Sequence, residues 1–170
     1  ICNTQGASIP RESDAVLYTH AGPEVAVAST KAFVAQITAA YLLGLYLAQV
    51  KGAMFRDEIH QVLDSLKDMP RKIQWVLDTQ PKTIQAAAER MVNANSFLFL
   101  GRHVGYPVAL EGALKLKEIA YTFTEGFAAG ELKHGPIALV DEGEPVVFIV
   151  PPERGRNVLH AKVISGIEEV

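Results

Sequence analysis

The spacing of apolar and polar residues divides the chain into two alternating strand-and-helix stretches separated by an amphipathic one. No charge occurs between Lys31 and Lys51, and this apolar run predicts one long helix, capped by Ser29 or Thr30 and ending near Gly52. Ahead of it, residues 15–18 read as a short strand, followed by a turn at Ala21-Gly22-Pro23. From Phe55 to about Asn95 the pattern becomes helical and amphipathic. Helices are expected over residues 56–68, 71–78 and 83–91, broken at Pro70 and Pro81, whose rings disfavour a continuous helix. Phe97-Leu98-Phe99-Leu100 is then a continuous apolar strand stopped by Gly101, with a helix expected over residues 107–121. A last strand is expected over residues 146–150, after a turn at 141–145 and before Pro151-Pro152, with helix again after Asn157. Alternation of this kind implies an α/β fold, a parallel sheet covered on both faces. Three segments follow: an α/β portion over 1–52, a helical connector over 53–95 and a second α/β portion over 96–170.

Composition narrows the classes. The 170 residues are 49% hydrophobic and 21% charged, as expected of a globular protein able to bury a core. The net charge of -3, with Lys and Arg scattered, offers no basic field for nucleic acid. One cysteine, Cys2, gives neither a disulfide framework nor metal-ligand spacing, which suits a reducing cytoplasm. Residues 32–50 are long enough to be weighed as a membrane span. Gln36, Thr38 and Gln49 interrupt the run and no aromatic belt or basic flank accompanies it. The expectation is a helix buried in an α/β domain or a subunit interface, with no membrane association. The chain opens on Ile-Cys-Asn without Met and stops in a helical pattern, so both ends are expected to be cuts in a longer protein.

Chemistry concentrates late in the sequence. At about 100° per residue, Glu111, Lys115 and Glu118 fall within roughly 60° of one another on one helix face. Taken alone, a Glu followed four residues later by Lys is an ordinary surface pair worth about 0.2–0.5 kcal/mol. His134 alone could simply hydrogen-bond its loop before Gly135-Pro136. Together, a carboxylate able to move a proton, a lysine able to steady an oxyanion and a histidine able to shuttle a proton suit aldose–ketose interconversion. Glu131, Lys117 and Lys133 read as solvated or structural charges. In parallel α/β sheets ligands sit beyond the carboxyl ends of strands, at helix starts. Two loops qualify: Val27-Ala28-Ser29-Thr30-Lys31, where Ser29 is either a helix cap or a ligand contact, and Gly101-Arg102-His103-Val104-Gly105, where a tight turn is the plainer reading.

At Arg11-Glu12-Ser13-Asp14, Val27-Ala28-Ser29-Thr30-Lys31-Ala32-Phe33, Phe99-Leu100-Gly101-Arg102, and the runs 106–118 and 128–136, the chain resembles the sugar isomerase (SIS) family. Within it, the resemblance is to the branch that aminates fructose 6-phosphate with glutamine-derived nitrogen. That implies a SIS-type three-layer sandwich: part of a first SIS domain and most of a second, joined by a helical connector. It also implies that Glu118 transfers the proton between sugar C1 and C2, that Lys115 steadies the enolamine oxygen, and that His134 opens the furanose ring. The histidine would reach the site of a neighbouring subunit, so a homodimer is expected. Glu111 is implied as a support, and Val27 and Ser29 as sugar contacts.

The implied substrate is fructose 6-phosphate, with ammonia delivered by a glutaminase domain outside this sequence. No metal or organic cofactor is implied. A phosphate loop and a C-terminal Schiff-base lysine also lie outside it, so the chain alone is expected to be inactive. Two other activities share the fold: sugar-phosphate deamination or deglycation, and non-catalytic sugar-phosphate sensing. The presence of Glu118 and His134 favours an enzyme over a sensor.

Overall fold

The structure, a computed structural model, describes residues 1–153 and 158–170. The chain separates into two compact units, Ile1–Ala86 and Ala87–Val170.

The first unit contains α1 (Ser8–Glu12), α2 (Lys31–Val50), α3 (Arg56–Lys67), α4 (Met69–Thr79) and most of α5 (Pro81–Met91). The amphipathic connector thus forms three helices where the apolar spacing and the two prolines set them. The strand expected over 15–18 is reduced to a single parallel bridge between Cys2 and Tyr18. On the side that follows the bridge, the Asn3 side chain rather than a backbone ladder bonds residues 19–22, so the pairing stops there. Asn3 Oδ1 accepts from the Thr19 hydroxyl at 2.9 Å and the Ala21 N–H at 3.0 Å, and its Nδ2 donates to the Gly22 carbonyl at 2.6 Å.

Helix α2 also differs from expectation. Its start is capped by neither Ser29 nor Thr30. Glu24, eight residues upstream of Ala32, accepts the Ala32 N–H at 3.2 Å and the Ser29 hydroxyl at 3.4 Å. A carboxylate at a helix N-terminus satisfies an orphan donor and complements the macrodipole. Within this single chain α2 is largely uncovered. Only Ala39 and Leu45 are fully enclosed, while Tyr46 is 62% and Val50 65% exposed. The chain supplies too little partner surface to cover a helix that is apolar all round.

The second unit follows the predicted alternation closely: β1 (Ser96–Gly101), α6 (Gly105–Ala120), β2 (Phe123–Ala128), two short 3-10 turns at Ala129–His134 and Pro136–Leu139, β3 (Val146–Ile149) and α7 (Val158–Ile167). The strands form one parallel sheet in the order β2-β1-β3. Strand β2 was not foreseen, because Phe-Thr-Glu-Gly-Phe-Ala has neither a continuous apolar run nor clean alternation. Its pairing with β1, Ser96 opposite Phe123 through Gly101 opposite Ala128, makes it a strand despite Gly126.

Glycines set the approach of α6 to one sheet face. A Cβ on Gly112 would meet the Phe99 ring at 2.9 Å, and one on Gly126 would come within 3.0 Å of the Leu110 Cα. At the upper end, Gly105 rests on the Ile149 side chain. Ala109 and Ala113 are fully buried at this contact, and the buried Thr124 hydroxyl donates to the Ala113 carbonyl at 2.6 Å. Small residues thus bring helix and sheet together closely, and one hydrogen bond fixes the sliding register. The opposite face carries Leu98, Leu100 and Phe148. There Leu100 is wholly enclosed, and Gly166 of α7 lies beside the Phe148 ring. Helix, sheet and helix make three layers in this unit.

Candidate functional site

The buried face of α6 determines where its charges stand. With Gly105, Ala109, Gly112 and Ala113 turned to the sheet, the 3.6-residue period turns Glu111, Lys115 and Glu118 to the flank of the helix. The Lys115 ammonium lies 2.7 Å from Glu118 Oε2 and 3.5 Å from Glu111 Oε1. All three side chains are half-buried, between 21% and 27% exposed. The two pairs hold Lys115 and Glu118 side by side, a carboxylate base next to a cation, with one negative charge in excess over the strip.

The hydrogen bond to Glu118, with the charges of Glu118 and Glu111 behind it, raises the Lys115 pKa above its ordinary 10.5. Lys115 is therefore a fixed cation at neutral pH, fit to stabilise a developing oxyanion. A group whose pKa is raised on folding contributes stability that is complete below the unfolded value and is lost as pH climbs through the folded one. The difference in urea midpoint between the unaltered chain and Lys115→Met should accordingly stay constant up to about pH 10 and shrink above it. A gap that instead closes between pH 6 and 8 would remove the strip's cation as its cause.

His134 ends the 3-10 turn that follows β2. Its Nδ1 lies 2.7 Å from Glu131 Oε2, and both side chains are well exposed. An ionised carboxylate offers only acceptors, so Nδ1 carries the hydrogen and Nε2 is left as the free nitrogen. Glu131, read from the sequence as a solvated or structural charge, is therefore the residue that orients the histidine. Its spacing of three residues from His134 was the available signal. Lys133, assigned the same bland role, pairs with Glu169 at 2.8 Å and ties this turn to the end of α7.

The structure does not bring His134 to Glu118. Helix α6 descends from the carboxyl end of β1, so Glu118, thirteen residues after Gly105, lies about 20 Å further down at 1.5 Å per residue. Strand β2 then climbs back, and over its six residues carries the chain up by roughly 16 Å before the turn that bears His134. The two residues belong to opposite ends of the sheet. Val27 and Ser29 lie in the other unit, in the loop ahead of α2. There Val27 is 87% exposed and Ser29 leans on Glu24. Among the described residues no cluster of three or more His, Cys, Asp or Glu is arranged to hold a metal ion.

Comparison with known proteins gives a consistent result. The SIS domain family model matches residues 1–46 and 90–163. The glutamine–fructose-6-phosphate aminotransferase (isomerizing) of Corynebacterium efficiens is 68% identical over all 170 residues, and the chain spans 27% of that relative's length. The enzyme of the same name from Streptomyces coelicolor is 61% identical over the whole chain, which covers 28% of it. Among solved structures, the C-terminal domain of glucosamine-fructose-6-phosphate aminotransferase from Francisella tularensis superposes with a TM-score of 0.93 at 40% identity. That match covers 99% of this chain and 46% of the other.

Proposed function

The chain belongs to the SIS domain family, and from that membership we propose that it is part of the isomerising half of a glutamine–fructose-6-phosphate aminotransferase. The observation that carries the reading is the α6 strip, whose carboxylate and cation are paired at 2.7 Å in a chain 68% identical throughout to an enzyme of that name. In this reading Glu118 takes the proton from C1 of the fructosimine 6-phosphate and returns it to C2. As the proton leaves C1 its electron pair forms the C1=C2 bond and the C2=N pair takes up a proton on nitrogen, giving the enolamine. As C2 is protonated the C1 hydroxyl releases its proton and becomes the carbonyl, so charge develops on the C1 oxygen. Lys115 neutralises that oxygen, and Glu111 keeps the lysine in place. Val27 and Ser29 contact the sugar. The net change is fructose 6-phosphate and glutamine to glucosamine 6-phosphate and glutamate.

His134 opens the furanose ring through its free Nε2, in the site of a second copy. The opposite placement of Glu118 and His134 along the sheet supports this sharing, since one copy of the unit separates the two groups. The exposed apolar surface of α2 supports a homodimer as well. We assign the protein to the cytoplasm on its single cysteine, with no membrane or nucleic-acid partner. The ammonia comes from a glutaminase domain of the longer enzyme.

An assay of product formation tests the assignment. The longer enzyme should make glucosamine 6-phosphate from fructose 6-phosphate and glutamine, and the 170-residue chain should make none with glutamine or ammonia. Turnover by the chain alone would show that the division of labour proposed here is wrong, and a longer enzyme that releases ammonia from glucosamine 6-phosphate without using glutamine would replace the aminotransferase with a deaminase.

A further inference from the structure

The proposed reaction draws on the flank of α6 and on His134, yet a polar cleft at the carboxyl ends of β1 and β2 takes no part in it. It has a volume of about 230 Å3 and lies where β1 gives way to Arg102 and β2 to Ala129, with α7 as its far wall. Arg102, Lys133 and Lys162 line it together with Ser165, Gly130 and Glu169. Glu169 is its one carboxylate and is already engaged by Lys133 at 2.8 Å. Among the described residues neither Arg102 nor Lys162 has a carboxylate within ion-pair distance, so two positive charges face the cleft uncompensated.

Local backbone geometry aims Arg102 at this space. Gly101 turns so sharply that a Cβ there would collide with the Gly105 carbonyl, and His103 adopts a left-handed φ of 52°. The turn is closed by the Gly105 N–H donating to the Arg102 carbonyl at 3.0 Å. On the other side, a Cβ on Gly130 would lie 3.7 Å from the Arg102 guanidinium, an ordinary contact distance, so the guanidinium stands against Gly130. Arg102 and Lys162 also border the adjoining cleft beside His103, which gives an occupant room to extend beyond the cations.

We infer that this cleft is a binding site for a small phosphate-class dianion, held by Arg102 and Lys162 with the Ser165 hydroxyl as a third donor. Two unpaired cations match a dianion in charge, and the guanidinium fork matches two phosphate oxygens in geometry. At about 30 Å3 of liquid volume per water, the cleft has the room of roughly eight waters, enough for a phosphate group with part of its carrier. Free phosphate and a phosphomonoester share this chemistry.

Titration of the 15N-labelled chain with inorganic phosphate tests the site. The Gly130 and Gly166 amides should shift and saturate, with affinity falling as KCl is raised. Affinity should drop on the order of tenfold in Arg102→Met and in Lys162→Met, the loss expected for one charge-assisted contact. Glu169→Gln, which releases Lys133, should bind more tightly. Fructose 6-phosphate moving the same amides at lower concentration than phosphate assigns the site to a phosphomonoester, and equal or weaker binding assigns it to phosphate itself. Shifts that do not saturate, that survive in both methionine variants, or that acetate reproduces at equal concentration would overturn the proposal.

Discussion

Replacing Glu118 by Gln in the longer enzyme should lower isomerisation by about 10²–10⁴-fold, the usual contribution of a positioned acid–base group. The amide keeps the size and a hydrogen-bonding oxygen for Lys115, so the strip's geometry survives, but it cannot accept a proton from carbon. The loss should therefore fall on kcat, with KM for fructose 6-phosphate changed little, the signature of an interaction needed only in the transition state. Exchange of the substrate C1 proton with D2O, followed by NMR, should stop at the same time. Folding should be nearly unaffected, because a partly exposed ion pair contributes roughly 0–1 kcal/mol. Unchanged turnover, or a large rise in KM with kcat intact, would take Glu118 out of the proton transfer.

The second large effect is on folding and comes from a residue without a side chain. Gly101→Ala puts a methyl group into the Gly105 carbonyl and within 2.6 Å of the Tyr106 N–H, both backbone atoms at the start of α6. Neither can yield by a rotamer change, so the turn itself must move and drag α6 away from Phe99 and Ile149. Overpacking a tight contact costs about 1–3 kcal/mol even where side chains can adjust, and this substitution should exceed that range. Since α6 carries the strip proposed to be catalytic, the variant should lose thermal stability in the second unit and activity in the longer enzyme together. A variant that melts at the wild-type temperature would mean that the β1–α6 turn is looser than the structure shows.

How far the sequence discloses this architecture depends on what each element relies on. The β1 strand and α6 are legible because Phe97 to Leu100 is apolar without interruption and the α6 pattern keeps its small residues on one face. The connector helices are legible because Pro70 and Pro81 mark their joins. Strand β2 is not, because its identity comes from pairing with β1 rather than from its own residues. The capping of α2 by Glu24 was equally hidden, since a side chain eight residues from the N–H it accepts leaves no local signature and Ser29 and Thr30 are better cap residues by type. The exposure of α2 within one chain agrees with the expected alternative of a subunit interface: an apolar pattern states that a helix needs cover, but not which chain provides it. At the site, periodicity alone put Glu111, Lys115 and Glu118 on one strip, and the structure pairs them there. The orientation of His134 by Glu131, and its distance from Glu118, required the course of β2.

That distance carries the central claim, a site assembled from two copies of the chain, and subunit mixing tests it most directly. Glu118→Gln and His134→Ala enzymes, each inactive, are dissociated, mixed in equal amounts and reassociated. If each site takes Glu118 from one subunit and His134 from the other, half the dimers are mixed and each holds one intact site, so activity should return to about a quarter of the wild-type value. If both residues act within a single chain, no combination contains an intact site, and a mixture as inactive as its components would contradict the account.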